Sequence, residues 1–261
     1  MKAIKMNKSA ERVVDLLMLL AKSEAPLTLN EICQELNFPK SSGFELVQTL
    51  LVKGFIEIDD ARLKTYRLGL RAFEVGSAYL SNSDVTTQAR QPIQELNRLI
   101  GSTVFLGTED RGKIVYLDKA ESHSIMRPTA KLGSRRYMHT TGLGKALLAA
   151  FSDEKIKFIL ENGEIARKTE YSKVTIPDIL EDMRDIRVRG YSIDDREDNI
   201  EMYCLGSAIF DQWNQPVASI SVASSFNGMN EERKKMIVEL LQKTALEISK
   251  KLGYKGDRLY I

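Results

Sequence analysis

Between Thr28 and Leu68 the chain changes its hydrophobic period at defined points, and that change restricts it to a small set of folds. Thr28-Leu29-Asn30-Glu31 has the spacing of a capping box, in which the threonine hydroxyl accepts from the glutamate amide and the glutamate reaches back. A short helix is therefore predicted here, burying Leu29, Ile32, Cys33 and Leu36. Asn37-Phe38-Pro39 ends it in a tight turn, and a third helix runs from about Lys40 to Lys53 with Gly54 as a left-handed cap. Ahead of both, Val13, Leu16, Leu17 and Leu20 recur at helical spacing, which predicts a first helix with Ser9 as N-cap, closed off by Pro26. After Gly54 the pattern changes to strands. Phe55 to Ile58 reads as one strand, Asp59-Asp60 as a turn, and Lys64 to Leu68 as the returning strand. A helix, two short helices joined by a three-residue turn, and a hairpin make a winged helix-turn-helix over residues 1–68.

Such a domain reads duplex DNA with its third helix in the major groove, while the wing and N-terminal arm hold phosphates. The exposed face of that helix offers Lys40, Ser41, Ser42, Phe44, Glu45, Gln48 and Thr49. Gln48 can bond adenine twice, Ser and Thr serve bases or phosphates, and Glu45 can accept from cytosine while repelling phosphate. Lys8 and Arg12 in the first helix, Thr28 at the start of the second, and Arg62, Lys64 and Arg67 in the hairpin complete the expected DNA contacts. Charge alone does not announce nucleic acid: the formal net charge is +2, and residues 1–72 hold eleven basic against nine acidic side chains. The distribution says more, with small basic patches at the arm and the hairpin.

At 261 residues and 43% hydrophobic, the chain can bury one sizeable core and a smaller one. No apolar run approaches the roughly 18 residues of a membrane span, and no cleavage site follows the N-terminal apolar stretch, so a cytoplasmic protein with no membrane partner is expected. Cys33 and Cys204 lie far apart in unlike segments, which argues against a disulfide scaffold. Leu70, Phe73, Ser77 and Leu80 form a stripe on a linker helix over residues 69–82; that stripe either docks on its own domain or pairs two subunits. Ser81-Asn82-Ser83 breaks the helix, and residues 83–261 form the larger domain.

That domain mixes both periods. Val85, Ala89, Ile93, Leu96 and Ile100 predict a helix ending at Gly101, with a kink at Pro92. Thr103 to Leu106 and Ile114 to Leu117 flank the turn Glu109-Asp110-Arg111-Gly112 as a hairpin. Helices are predicted near Leu143–Phe151, Asp153–Leu160 and Pro177–Arg189, the last capped by Gly190, and strands near Tyr191–Asp194, Leu205–Phe210 and Val217–Ala223. A helix from about Asn230 to Leu252 closes the domain. This order gives an antiparallel sheet covered by helices, the α+β class.

Thr140-Thr141-Gly142-Leu143-Gly144-Lys145 has the look of a nucleotide-binding loop but is not one, because His139 and Ala146 stand where a P-loop needs glycine and Ser or Thr. What remains is a glycine-containing helix start. Two readings are open: exposed amides that favour an anion, or glycines that only allow close packing. Arg127, Lys131, Arg135 and Arg136 put four cations in ten residues with no acid among them. Arg136 could clamp a carboxylate or phosphate if it faces a pocket, or the run could be solvated. Against an enzyme stand the two histidines, His123 and His139, without zinc spacing, and the absence of a Gly-x-Ser-x-Gly elbow. Neither a metal nor a cofactor is expected. The alternative, a small-molecule enzyme using the thiol of Cys204, has that residue at the head of an apolar strand, where cysteines mostly act as small hydrophobes.

The strings LTLNEICQELNFPKSS, YRLGLRAFEVG, HTTGLGKALLA and DDREDNIEMYC followed by SAIFDQWNQPVASISV resemble the IclR family of bacterial transcriptional regulators, with similarity continuing to about Gly253. The resemblance implies a winged-helix reader, a linker helix used in subunit contact, and a GAF-like effector-binding domain that assembles as a homodimer or a dimer of dimers. It further implies an effector site at Pro128, Arg136, Gly142, Leu143, Asp194, Cys204, Ser221 and Ala223. Two positions depart from the family: Arg136 stands where an apolar residue is common, and Ala223 where a polar one is. At the reading head, Gly43, Phe44 and Glu45 replace a bulky aliphatic residue, a His and an Arg, so the operator should differ from common family sequences. The expected function is a repressor, in preference to an activator, that binds a palindromic or pseudo-palindromic operator. A small carboxylate or sugar acid would modulate its affinity by changing the spacing of two recognition helices.

Overall fold

The computed structural model describes residues 6–81, 84–122 and 130–260. The chain divides into two compact units, Met1–Asn82 and Ser83–Ile261. In the first, α1 (Lys8–Lys22), β1 (Leu27–Thr28), α2 (Leu29–Glu35) and α3 (Lys40–Val52) precede the hairpin β2 (Ile56–Asp60) and β3 (Thr65–Leu68), and α4 (Leu70–Ser81) follows. The three strands pair antiparallel in the order β1-β3-β2. Leu16, Leu20, Ile32, Val47, Leu50, Ile56 and Tyr66, one or two each from α1, α2, α3, β2 and β3, form the core, so the helical and strand stripes converge as their periods require.

The capping box forms: Thr28 accepts from the Glu31 amide at 3.3 Å, and Glu31 Oε2 accepts from the Thr28 amide at 2.7 Å. The α1 cap falls two residues earlier than expected. Asn7 Oδ1 accepts from the amides of Ser9 and Ala10, which places Ser9 inside the helix; asparagine and serine are equivalent caps, so the spacing could not separate them. The wing turn also moves. Asp59 and Asp60 extend β2, and the turn is residues 61–64, because Asp60 Oδ1 accepts from the amides of Arg62 and Leu63 while its own amide bonds Thr65. Lys64 adopts a φ of 51° to close it.

Gly43 is buried where α3 crosses α2, and a Cβ there would run into Cys33 Sγ. A glycine that weakens its own helix thus permits a close approach to a cysteine that is itself buried.

The second unit starts with α5 (Asp84–Ile100), in which Pro92 is accommodated without ending the helix. The hairpin β4 (Thr103–Asp110) and β5 (Lys113–Ala120) turns at Arg111-Gly112, with φ values of 53° and 75°. Then come β6 (Arg135–Tyr137), α6 (Gly142–Ala150), α7 (Asp153–Asn162), α8 (Ile176–Arg189), β7 (Ser192–Asp195), β8 (Met202–Phe210), β9 (Pro216–Ser225) and α9 (Glu231–Lys251). They build a six-stranded antiparallel sheet in the order β6-β5-β4-β9-β8-β7, with α6 and α9 packed on it, the expected α+β architecture. Gly190 caps α8 at a φ of 81° and Asn230 caps α9. Sequence reading missed β6: its residues lie in the cationic run, yet Ile114 pairs with Arg136 and Val115 with Arg135, making an edge strand of three residues.

Replacing Gly43 with Ala should forfeit the roughly 1 kcal/mol that Gly to Ala normally adds to a helix. The gain should reappear when Cys33→Ala is made first. A double-mutant cycle on urea midpoints should give a coupling of about 0.5–3 kcal/mol; additivity would show that the contact carries no strain.

Candidate functional site

Side chains that could meet DNA lie on one helix and its flanks. On α3, Lys40, Ser41, Glu45, Gln48 and Thr49 are exposed, Phe44 is 52% exposed and Ser42 half-buried. No side chain caps α3, whose N-cap is Pro39, so its first amides have no intrahelical partner and remain open to an oxyanion. Thr49 Oγ1 is occupied, donating to the Glu45 carbonyl. Among the described residues Lys8, Arg62 and Lys64 are exposed without a bonded acid, and Arg12 lies over the Phe38 ring at 5.1 Å. Two expected contacts have other engagements. Arg67 bonds Glu57 at 2.8 Å and Asp59 at 3.0 Å across the hairpin, and the Thr28 hydroxyl is held by Glu31 at 2.8 Å. A spacing rule saw the arginine but not the two acids that the hairpin register brings beside it.

In the second unit a cavity of about 80 Å³ opens where the start of α6 meets the sheet. Arg136, Gly142, Leu143, Asp194, Cys204, Ser221 and Ala223 all line it, and Pro128 lies outside the described residues. Local chemistry explains the convergence. A Cβ on Gly142 would stand 2.9 Å from Ser221 Oγ and 3.0 Å from Cys204 Cβ, so only glycine lets the helix start sit on β8 and β9. Ser192 Oγ donates to the Gly142 carbonyl at 2.6 Å and Ser219 Oγ to the Leu143 carbonyl at 2.9 Å, pinning that turn to the sheet. Thr141 caps α6 by accepting from the Gly144 amide. The glycine therefore serves close packing, and the helix start that it allows borders a cavity.

Phe105, Tyr116, Thr141, Asp198, Asn199 and Met202 complete much of the lining and were not expected. Phe105 and Tyr116 sit on neighbouring strands and meet edge to face at 5.1 Å, a contact that strand alternation alone does not reveal. Arg136 reaches the cavity because Ile114 fixes the β6 register, which turns one cation of the run inward while Arg135 bonds Asp110. Opposite charge also lines the wall. Asp194 is buried, its Oδ1 accepting from the amides of Glu197 at 2.8 Å and Asp198 at 3.3 Å. Burial, countered by Lys145 and reinforced by Asp198 and Glu197, pushes its carboxyl up to about 8. Burial and then Asp194 push the Cys204 thiol up, so it stays protonated and is a poor nucleophile. Burial likewise raises the Tyr116 phenol.

Lys145 does not line the cavity. Its ammonium is buried and bonds Asp182 at 2.7 Å, the Ile193 carbonyl at 2.6 Å and Glu197. The nucleotide-loop reading therefore fails on geometry as well as on spacing. Among the described residues no group of three or more His, Cys, Asp or Glu could hold a metal ion, and no helix is long and apolar enough to cross a membrane.

A helix-turn-helix with a wing, in a chain whose second unit holds a small polar cavity, is the architecture of a regulator of transcription. Residues 9–60 match the IclR helix-turn-helix domain and residues 77–250 match the bacterial transcriptional regulator IclR C-terminal domain. Over 245 residues the chain is 33% identical to the HTH-type transcriptional repressor AllR of Salmonella paratyphi A, covering 94% of this chain and 90% of that one. The crystal structure of Thermotoga maritima IclR is 28% identical with a TM-score of 0.80, covering 95% of this chain and 99% of that one. An IclR homologue from Microbacterium hydrocarbonoxydans, crystallised with 4-hydroxybenzoate, shares the fold at 18% identity and a TM-score of 0.82, covering 94% and 98%. The protein belongs to the IclR family. It is a transcriptional repressor of that family and not an enzyme.

The raised carboxyl makes a pH prediction. An acid whose folded value lies near 8 and whose unfolded value lies near 4 keeps a proton in the fold that the unfolded chain has lost, so its contribution to stability falls as pH rises through that window. Asp194→Asn keeps the acceptor for both amides without the ionisation. Its thermal midpoint should decline less than that of the parent protein from about pH 6 to about pH 9, and it should be the more stable protein at the upper end. Parallel declines would show that Asp194 ionises normally.

Proposed function

We propose that residues 1–68 bind an operator with α3 in the major groove, that residues 69–82 link subunits, and that residues 83–261 bind a small acid in the α6 cavity and thereby alter operator affinity. The observation that carries this reading is the convergence of Arg136 and the α6 helix start on one cavity whose remaining walls are mostly buried. A guanidinium and a helix N-terminus both favour an anion, and Leu143 and Ala223 supply apolar wall for the rest of it. About 80 Å³ holds several water molecules or one short acid, which favours a small carboxylate over a six-carbon sugar acid. The 4-hydroxybenzoate in the Microbacterium homologue is likewise an acid.

A symmetric repressor needs two readers about 34 Å apart, or a multiple of that, on a palindromic or pseudo-palindromic site. Support for a homodimer or a dimer of dimers comes from α4, where Leu70 and Phe73, on the expected stripe, are each 69% exposed, and Val75 and Tyr79 on the other side of the helix are exposed as well. The side chain of Leu80, in the same expected stripe, lies outside the described residues. An operator on the bacterial chromosome places the protein in the cytoplasm.

Operator binding measured by fluorescence anisotropy, with lactate and with its neutral amide, tests the coupling. Lactate should change affinity about 5- to 150-fold and the amide should not. Arg136→Met should abolish the lactate effect and leave ligand-free DNA binding intact. Equal affinity with and without every short acid that stabilises the protein would overturn the regulatory reading. For the wing, Arg62→Ala and Lys64→Ala should weaken binding to all sequences alike and reduce the salt slope by about 1 each, whereas Arg67→Ala should change that slope less because two acids already neutralise it.

A further inference from the structure

Lys145 lies one turn beyond the helix residues that line the cavity, buried to 1% exposure. Its ammonium meets Glu197, Asp182 Oδ2 and the Ile193 carbonyl. Glu197 in turn donates its backbone amide to Asp194 Oδ1 at 2.8 Å, inside the cavity wall. Its carbonyl accepts from Ser172 Oγ at 2.7 Å, which ties the same residue to the segment before α8. Asp182, on α8, also draws Lys173 at 3.1 Å and Arg189 at 3.5 Å. One cation under the cavity therefore joins α6, α8 and the loop that carries the acidic wall.

We propose that Lys145 and Glu197 are a positioning pair for the effector site: the ammonium fixes Glu197 so that its amide grips Asp194, and together they set the charge an incoming ligand meets there. Its purpose rests on the cavity being an effector site, but its test does not. Charged and titratable groups around Asp194 are Cys204 on β8, Glu197 and Asp198 in its own loop, Lys145 from α6, and across the cavity Tyr116 on β5 and Arg136 on β6. Glu197 is a neighbouring carboxylate and raises the cost of a second negative charge at Asp194, while Lys145 lowers it more strongly.

The two changes can be separated by sign. In the ligand-free full-length protein, the Asp194 carboxyl is titrated by carbon-13 NMR, its signal assigned by loss in Asp194→Asn. Glu197→Gln removes the like charge and keeps the shape, so the midpoint should fall by about one pH unit. The double variant Lys145→Met with Glu197→Met removes the pair as a unit, so the midpoint should rise. A residue that only fills space would move neither, and an unchanged midpoint in either folded variant overturns the pairing. Lactate affinity is then read on the same variants as pH rises: it should weaken at a lower pH in Glu197→Gln than in the parent. If lactate binds neither protein while the two midpoints shift as stated, the pair stands and the acid-effector reading is what fails.

Discussion

A buried ammonium organises the second unit. Taking a lysine out of water costs several kcal/mol unless carboxylates replace the lost solvation, and removing one partner of such a group typically costs about 3–5 kcal/mol. Lys145 can be satisfied only where Asp182 from α8, Glu197 from the acidic loop and the Ile193 carbonyl from β7 all reach it. The requirement is geometric, so it fixes α6 against elements that lie 37 and 52 residues further along the chain. Asp182 shares its second oxygen with Lys173, which extends the same constraint to the segment before α8.

With α6 held from beneath, its first turn is held from the sheet. Gly142 and Gly206 face each other so closely that a Cβ on Gly206 would overlap the Gly142 carbonyl, and Ser192 and Ser219 bond the carbonyls of the same turn. Small residues and hydroxyls thus take the place that large apolar side chains fill elsewhere in the core. The space left over is the cavity, and its polarity follows from how it is built. Strands that must carry serine and cysteine to accommodate the helix start present those groups, and the buried Asp194, to whatever enters.

What the sequence made legible follows from the range of the interaction. Local chemistry read well: the Thr28–Glu31 box and the left-handed Gly190 each depend on residues within one turn. Shifts of two positions, at Asn7 and at the start of the wing turn, came from neighbouring residues of similar capping ability. The short edge strand β6 was missed because three residues carry no period, and its pairing is decided by Ile114 twenty-two residues earlier. The cavity residues were legible through family resemblance rather than spacing, since they come from five separate strands and helices. Lys145 stood in a segment whose nucleotide-loop reading was set aside on spacing, yet nothing nearby in sequence shows that Asp182 and Glu197 claim it. Gly43 shows the same blindness, since its helix penalty is local and its reason, Cys33 Sγ, is not.

The reading unit carries less free positive charge than its fold suggests, and this bears on how regulation works. Among the described residues of this unit Lys8, Lys22, Lys40, Lys53, Arg62 and Lys64 are exposed cations without an ion pair, but Lys22 and Lys53 lie at helix C-termini, away from the arm, the α3 start and the wing; Arg67 is held by Glu57 and Asp59, and Glu45 faces outward on α3. Each neutralised phosphate contributes to affinity through counterion release, so in the operator complex proposed above one unit with few such contacts would bind DNA weakly at cellular salt. Two linked units bind far more tightly than either alone, but only while their separation matches the operator. In the assembly proposed above, weak single heads would make occupancy depend steeply on spacing, so that a ligand-driven change of modest energy in the larger unit would be enough to switch it.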